Sequence, residues 1–213
     1  MNDLSPCVVT EEVLLGNGTS VITVRCEEKE KTYTVSTRLL RENGICKGGK
    51  LSFGDTELLS FLENVTKAIK KGLDLLSYSD SSKASLVRKL MMKGFDREIS
   101  ELATAQLEKT GFIKEEDHAL RLARSLVKQL YGPRAVEEKL KSKGFEKKYV
   151  KKALEAVCSE TDHVENLHTY AEKHGLLDSI LSPDDPLQYK RTCAKILRRG
   201  FSYEHISQLK TYK

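Results

Sequence analysis

Between residues 7 and 35 the apolar positions come in short β-branched or aromatic runs: Cys7-Val8-Val9, Val13-Leu14-Leu15, Val21-Ile22-Thr23-Val24 and Tyr33-Thr34-Val35. Such runs predict strands, and Asn17-Gly18 between two of them predicts a hairpin. From Ser36 the period lengthens. Ser36 is placed to cap a short helix through Glu42, which Asn43-Gly44 stops. Asp55 then opens a stronger helix, in which Leu58, Leu59, Leu62, Val65, Ile69, Leu73 and Leu76 recur at three- and four-residue steps and define one apolar face. Gly72 weakens the helical signal near its end, and Tyr78-Ser79-Asp80-Ser81-Ser82 breaks it.

Beyond residue 80 the pattern repeats. A basic residue, a glycine and a phenylalanine close an amphipathic stretch three times, at Lys93-Gly94-Phe95, Lys143-Gly144-Phe145 and Arg199-Gly200-Phe201, with the glycines 50 and then 56 residues apart. That period belongs to helical repeat modules. The apolar pair before the turn is Leu86 and Leu90 in the first copy and Val136 and Leu140 in the second. The third has Thr192 and Ile196, a weaker face. A glycine just past a helix that ends in Lys or Arg marks a left-handed C-cap, and the phenylalanine after it can pack back on the helix. The next helix follows at once: Ile99, Ala103 and Leu107, then Val150, Ala153 and Val157, then Ile206 and Leu209. Glu108-Lys109-Thr110-Gly111-Phe112-Ile113 is echoed by Glu172-Lys173-His174-Gly175-Leu176-Leu177, so each unit is three helices long.

These elements predict a mainly α protein, with tandem three-helix repeats forming a curved array behind a small β-containing N-terminal segment. The expected division is a β-rich segment over 1–53 and a helical repeat domain over 54–213, with repeats around 54–110, 111–160 and 161–213. Pro133 suits the first turn of its helix, where a missing N–H costs nothing. Pro183-Asp184-Asp185-Pro186 accounts for the longer third period.

The 213 residues suffice for a core without staples, and 39% hydrophobic with 31% charged residues describes a folded chain with a well-solvated surface. Charge is uneven. Residues 1–80 hold 10 Lys/Arg against 12 Asp/Glu, whereas residues 81–213 hold 26 against 19, so the repeat half is the one suited to a polyanion or a protein carrying one. Cysteines at 7, 26, 46, 158 and 193 are odd in number and form no C-x-x-C pair, which points to reduced thiols and to neither a disulfide framework nor a zinc site. Without a basic leader or an apolar run of about 18 residues, a cytoplasmic protein with no membrane anchor is expected.

The stretch Gly132-Pro133-Arg134-Ala135-Val136-Glu137-Glu138-Lys139-Leu140-Lys141-Ser142-Lys143-Gly144-Phe145 resembles the central motif of the RecX family of recombination regulators: G-P, a basic patch, an aliphatic residue, an acidic or polar pair, Leu and K-G. Leu76 to Phe95 resembles the family's entry to its first repeat, Gly111 to Ala119 its G-Y-L-D-D-x-x-F-A segment, and Arg198-Arg199-Gly200-Phe201 its C-terminal R-R-G-F. The resemblance covers roughly residues 65–213. Where the family writes R-x-R-S after Tyr78 this chain has Ser79-Asp80-Ser81-Ser82, two arginines fewer. Lys114-Glu115 stands in place of two aspartates and His118 in place of Phe.

The resemblance implies a non-enzymatic modulator of recombination, DNA repair and the SOS response. Such a protein binds the RecA recombinase filament on single-stranded DNA and lowers its ATPase and strand exchange. The candidate contact residues for RecA or DNA are basic positions at equivalent repeat sites: Arg88, Lys89 and Lys93; Arg134, Lys139 and Lys143; Arg191, Lys195, Arg198 and Arg199. Lys89, Lys139 and Lys195 each stand four residues before the turn's basic residue. The third unit, with its weak apolar face and its arginines, reads as the least rigid and as a contact arm. The alternative reading is a helical-repeat protein that grips nucleic acid directly through phosphates.

Other chemistry finds little support. Gly44-Ile45-Cys46-Lys47-Gly48-Gly49-Lys50 matches half of a phosphate loop, but Leu51 follows the lysine where a magnesium-binding Ser or Thr belongs, and a helix rather than a strand precedes it. Cys158, His163 and His168 are five apart and point about 140° away from one another on a helix. His118 reads as a half-buried packing residue. No cofactor, metal or catalytic residue is expected, and a monomer is the default for an array with capped ends.

Overall fold

The computed structural model describes residues 7–78, 81–182 and 185–212. Ser79, Asp80, Pro183 and Asp184, which figure in the sequence reading above, lie outside the described residues. Among those described, three strands, a short helix and a fourth strand precede a run of helices that fills the rest of the chain, a mainly α architecture. The chain divides into two compact units, one holding Met1–Ser79 and Leu86–Phe112, the other Asp80–Ser85 and Ile113–Lys213.

In the first unit, β1 (Cys7–Leu15), β2 (Thr19–Cys26), β3 (Lys29–Ser36) and β4 (Lys50–Leu51) form an antiparallel sheet in the order β3-β2-β1-β4. The two apolar runs of β1 join into one strand through a bulge between Val9 and Glu11. The hairpin at Asn17-Gly18 sets the register that places Val13 opposite Val21. Alternation along β2 and β3 buries Ser20, Ile22, Val24, Tyr33 and Val35 on one face. After α1 (Thr37–Glu42) the half phosphate loop is a turn that leads into β4. Ser36 sits at the α1 N-cap without a side-chain bond to it, while Ser20 Oγ lies 2.8 Å from Thr37 Oγ1.

One expectation fails here. Cys7 and Cys26 form a disulfide, where reduced thiols were expected throughout. Separation along the chain hides the pairing, but the register that sets Val8 opposite Arg25 places the two cysteines side by side on β1 and β2. Cys46, Cys158 and Cys193 are free.

Helix α2 (Phe53–Tyr78) begins two residues before Asp55, because Ser52 and Asp55 cap it together: the Asp55 carboxylate accepts from Ser52 N–H at 2.7 Å and the Asp55 N–H donates to Ser52 Oγ at 3.2 Å. Its buried face carries Leu59, Leu62, Val65 and Ala68. Its side chains also run along the outer edge of β3. Thr34 N–H donates to Glu63 at 3.0 Å and Ser36 N–H to Thr66 Oγ1 at 2.8 Å, satisfying edge donors that no further strand pairs. Gly72, the weak point of the helical pattern, is a close-approach site, since a Cβ there would lie 2.6 Å from Leu107 Cδ1. The small residue lets α4 (Arg97–Lys109) pack tightly on α2.

The remaining helices are α3 (Lys83–Met92), α5 (Glu115–Lys128), α6 (Pro133–Ser142), α7 (Lys147–Glu160), α8 (His163–Lys173), α9 (Leu177–Leu181), α10 (Pro186–Arg198) and α11 (Tyr203–Leu209). Pro133 does open α6. All three Lys/Arg-Gly-Phe turns are helix C-caps. Gly94, Gly144 and Gly200 take φ of +91°, +81° and +97°. In each, the glycine N–H and the phenylalanine N–H return to the last carbonyls of the helix: Gly94 to Met91 and Phe95 to Leu90, Gly144 to Lys141 and Phe145 to Leu140, Gly200 to Leu197 and Phe201 to Ile196. This double bond pattern is the Schellman cap. The echoed segments use it too, at Gly111-Phe112 and Gly175-Leu176. So does Leu130-Tyr131 after α5, where Leu130 adopts φ +61° with no glycine to ease it.

In the second unit one buried cluster joins Ala119, Ala123, Val136, Leu140, Phe145, Val150 and Val157, and another joins Leu167, Tyr170, Ile180, Cys193, Ile196, Phe201 and Ile206. The third repeat is therefore packed as fully as the second. Cys193 supplies the apolar contact that Thr192 lacks, and the buried Thr192 hydroxyl meets Ser179 Oγ at 3.1 Å.

Candidate interaction surface

The candidate basic residues fall into distinct environments. On α3, Arg88 is exposed and Lys89 half-buried, with Lys93 exposed at the cap. Arg134 is exposed in the first turn of α6, and Lys143 is exposed while its carbonyl accepts from Ser82 Oγ at 2.6 Å. Lys139 is half-buried with Nζ 4.5 Å from the centre of the Tyr131 ring.

Arg199 is held on several sides. Its guanidinium lies 3.6 Å from the Tyr131 ring centre and 5.2 Å from that of Tyr170. Nε donates to the Leu130 carbonyl at 2.9 Å, and Nη2 donates to the Gln129 carbonyl. The backbone of the third turn is held in the same place, because Gly132 N–H donates to Arg199 O at 3.0 Å and Arg134 N–H to Gly200 O at 3.2 Å. The uncapped carbonyls at the end of one helix thus meet the uncapped N–H groups at the start of another. Tyr131 brings Lys139 and Arg199 together at this junction. Sequence reasoning passed over Tyr131, although an aromatic beside Gly132-Pro133 in a basic stretch is a signal for cation stacking.

Arg191, Lys195 and Arg198 stand elsewhere, exposed on α10. Arg198 Nε turns back to its own helix, 3.3 Å from Ala194 O.

A histidine cluster adjoins the third turn. His205 closes a capping box with Ser202: its Nδ1 accepts from Ser202 N–H at 3.0 Å. His163 is only 8% exposed, both its ring nitrogens lack hydrogen-bond partners, and its ring centre lies 6.0 Å from that of His205. Burial pushes His163 below the ordinary histidine value of 6.5; His205 adds to this and Asp162 opposes it. Burial does the same to His205, opposed by Glu204 and reinforced by Arg134. In both, burial favours the neutral ring. His118 packs edge-on against Phe145 at 5.0 Å, half-buried as its sequence position suggests. Among the described residues no group of three His, Cys, Asp or Glu side chains is placed to hold a metal, and no helix is long and apolar enough to cross a membrane.

The arrangement can present cations and does so on a folded helical scaffold. No protein-family model matches the chain. Curated relatives do. The regulatory protein RecX of Lactobacillus johnsonii is 28% identical over 134 residues, 62% of this chain and 49% of the relative, so this chain spans about half the length of that protein. The regulatory protein RecX of Stenotrophomonas maltophilia is 26% identical over 144 residues, 68% of this chain and 85% of the relative. That of Bacillus licheniformis is 27% identical over 186 residues, 84% of this chain and 68% of the relative. A crystal structure of regulatory protein RecX superposes with a TM-score of 0.73 at 20% identity, covering 97% of this chain and all of the other. RecX from Lactobacillus salivarius superposes at 0.58 with 23% identity, covering 69% and 94%. In sequence the chain is thus similar to regulatory RecX proteins along its helical part, and along nearly its whole length it shares the fold of a solved RecX structure.

Proposed function

We propose that the chain is a non-enzymatic regulator of RecA, acting in the cytoplasm as a monomer. It binds the recombinase filament on single-stranded DNA and lowers its ATPase and strand-exchange activity. The observation that carries this reading is the likeness to regulatory RecX proteins along the helical repeats. The structure adds a physical basis: exposed cations at Lys93, Arg134, Lys143, Arg191, Lys195 and Arg198 stand on rigidly capped helices, and several modest contacts on one scaffold add up on a repetitive polymer. Arg199 and Lys139 act within this reading chiefly by holding the Tyr131 junction that positions α6 and the third turn.

The test is a titration of the full chain into RecA hydrolysing ATP on single-stranded DNA. Inhibition below one chain per RecA is expected, weakened by Arg134→Glu with Lys143→Glu. No effect at molar excess overturns the proposal. Salt-sensitive binding to DNA alone, with no change in RecA turnover, favours direct nucleic-acid binding instead.

A further inference from the structure

On several other helices exposed cations have acids beside them. Arg38 pairs with Glu42, Lys67 with Glu63, Arg97 with Glu101, Lys141 with Glu137 and Lys151 with Glu155, each across one helical turn, while Arg124 reaches Glu160 and Lys152 reaches Glu116. These are solvated, self-neutralised faces. Helix α10 differs from those faces. Its residues Pro186–Arg198 include Lys190, Arg191, Lys195 and Arg198 and no acid at all, and among the described residues Arg191, Lys195 and Arg198 form no ion pair.

The geometry sharpens the contrast. Leu187, Arg191, Ala194, Lys195 and Arg198 recur at steps of three and four and so share one outward stripe, opposite the buried Thr192, Cys193 and Ile196. Within it Arg191 and Lys195 are like charges one turn apart, as are Lys195 and Arg198, an arrangement that destabilises an isolated helix. The packed interior holds α10 in place against that repulsion. Interleaved with the cations are Leu187, 56% exposed, and Ala194, small enough to let another backbone approach.

We propose that this stripe of α10 is the docking face for an acidic amphipathic helix of a protein partner. The partner's apolar ridge would lie over Leu187 and Ala194, and its carboxylates would face Arg191, Lys195 and Arg198. Charge complementarity demands an anionic occupant, and the apolar positions inside the stripe choose among anions. A nucleic-acid strand would set phosphates against Leu187 and would find no outward ring on α10 for base stacking, because Tyr189 is half-buried beneath Lys210, whose Nζ is 4.8 Å from its centre. A helix with leucines flanked by glutamates satisfies both kinds of position. The inference deepens the regulatory reading and rests on it for the existence of a protein partner.

The test uses the full chain with three fluorescent probes: an 18-residue helical peptide with a leucine ridge flanked by glutamates, the same peptide with glutamines in their place, and a single-stranded oligonucleotide. Anisotropy should show the glutamate peptide binding more tightly than the glutamine peptide. Arg191→Glu with Arg198→Glu should weaken the glutamate peptide by about tenfold and leave the oligonucleotide unchanged; circular dichroism checks that the variant keeps its helices. Leu187→Ser, which preserves every charge, should weaken both peptides. Equal binding of the two peptides overturns the proposal, as does an oligonucleotide that alone responds to the charge reversal. RecA turnover is read in a separate assay, so peptide docking without inhibition would sink the regulatory reading while leaving this face assigned.

Discussion

The turn at Gly94 and the turn at Gly200 share a local code, a basic residue, a left-handed glycine and a phenylalanine, and they make the same pair of backbone bonds. Their surroundings differ. A Cβ on Gly94 would meet nothing within 4 Å, whereas one on Gly200 would lie 2.4 Å from the Ala135 backbone nitrogen. Phe95 is half-buried and Phe201 fully buried. At Gly94 glycine answers a purely local requirement. At Gly200 it answers that requirement and also lets the turn press against the start of α6. A repeated motif thus fixes its own geometry each time, and the neighbourhood decides how much of the molecule depends on it.

The strongest way to break this comparison is to substitute both glycines. Gly200→Ala meets the left-handed penalty plus overpacking against backbone, a loss of about 3 kcal/mol or more. Gly94→Ala meets the first alone, about 1 kcal/mol. Urea unfolding of the full chain reads both, and equal losses would show that the contact at Ala135 is relieved by small shifts. Next comes Arg199→Ala, which leaves the carbonyls of Gln129 and Leu130 without their charged donor and should cost about 2 kcal/mol. Arg199→Lys should recover little, because a point charge cannot reproduce a planar fork laid on Tyr131. Recovery in the lysine variant would reduce the junction to simple charge.

Acid provides a third contrast. All five histidines lie beyond residue 112, in the second unit. His163 and His205 bind protons less readily folded than unfolded, so the unfolded chain gains protons first and stability falls as pH drops below about 6.5. In the first unit the lowered groups are carboxylates. Side-chain bonding to Arg38 lowers Glu42, and bonding to Ser52 lowers Asp55. Burial raises Glu63, but the Thr34 N–H and Lys67 outweigh it. That unit should lose stability only as pH falls toward 4.5 and below. Hydrogen exchange followed between pH 7 and 5 should show the second unit opening first, and His163→Leu should flatten its profile. The smallest effect is expected at Leu130→Gly. Relief of a left-handed leucine, about 1 kcal/mol, is offset by lost packing in the third repeat's cluster, so the net change should stay within about 0.5 kcal/mol of zero.

What the sequence discloses follows the range of each requirement. The strands, the Asn17-Gly18 hairpin, Pro133 at a helix start and the glycine caps are settled within a few residues, and each was legible. The Tyr131 junction was not, because its partners stand 69 residues apart. Leu130 hides a cap because it lacks the glycine that would announce one. Cys7 and Cys26 look like unrelated thiols until a ladder register sets them opposite each other. Among the basic positions the sequence supplies an even row, whereas the fold separates Arg199, enclosed by carbonyls and rings, from Arg191 and Arg198, which face outward.

The row of α2 side chains along β3 has a further consequence for self-association. Glu63 and Thr66 take the N–H groups of Thr34 and Ser36, so a foreign strand aligning along that end of β3 would find those two donors already spent. At the opposite edge Val9 is engaged as well, its N–H donating to Gly49 O and its carbonyl accepting from Gly48 N–H. Both edges of the sheet are thus partly blunted against strand addition by the chain's own side chains and turns.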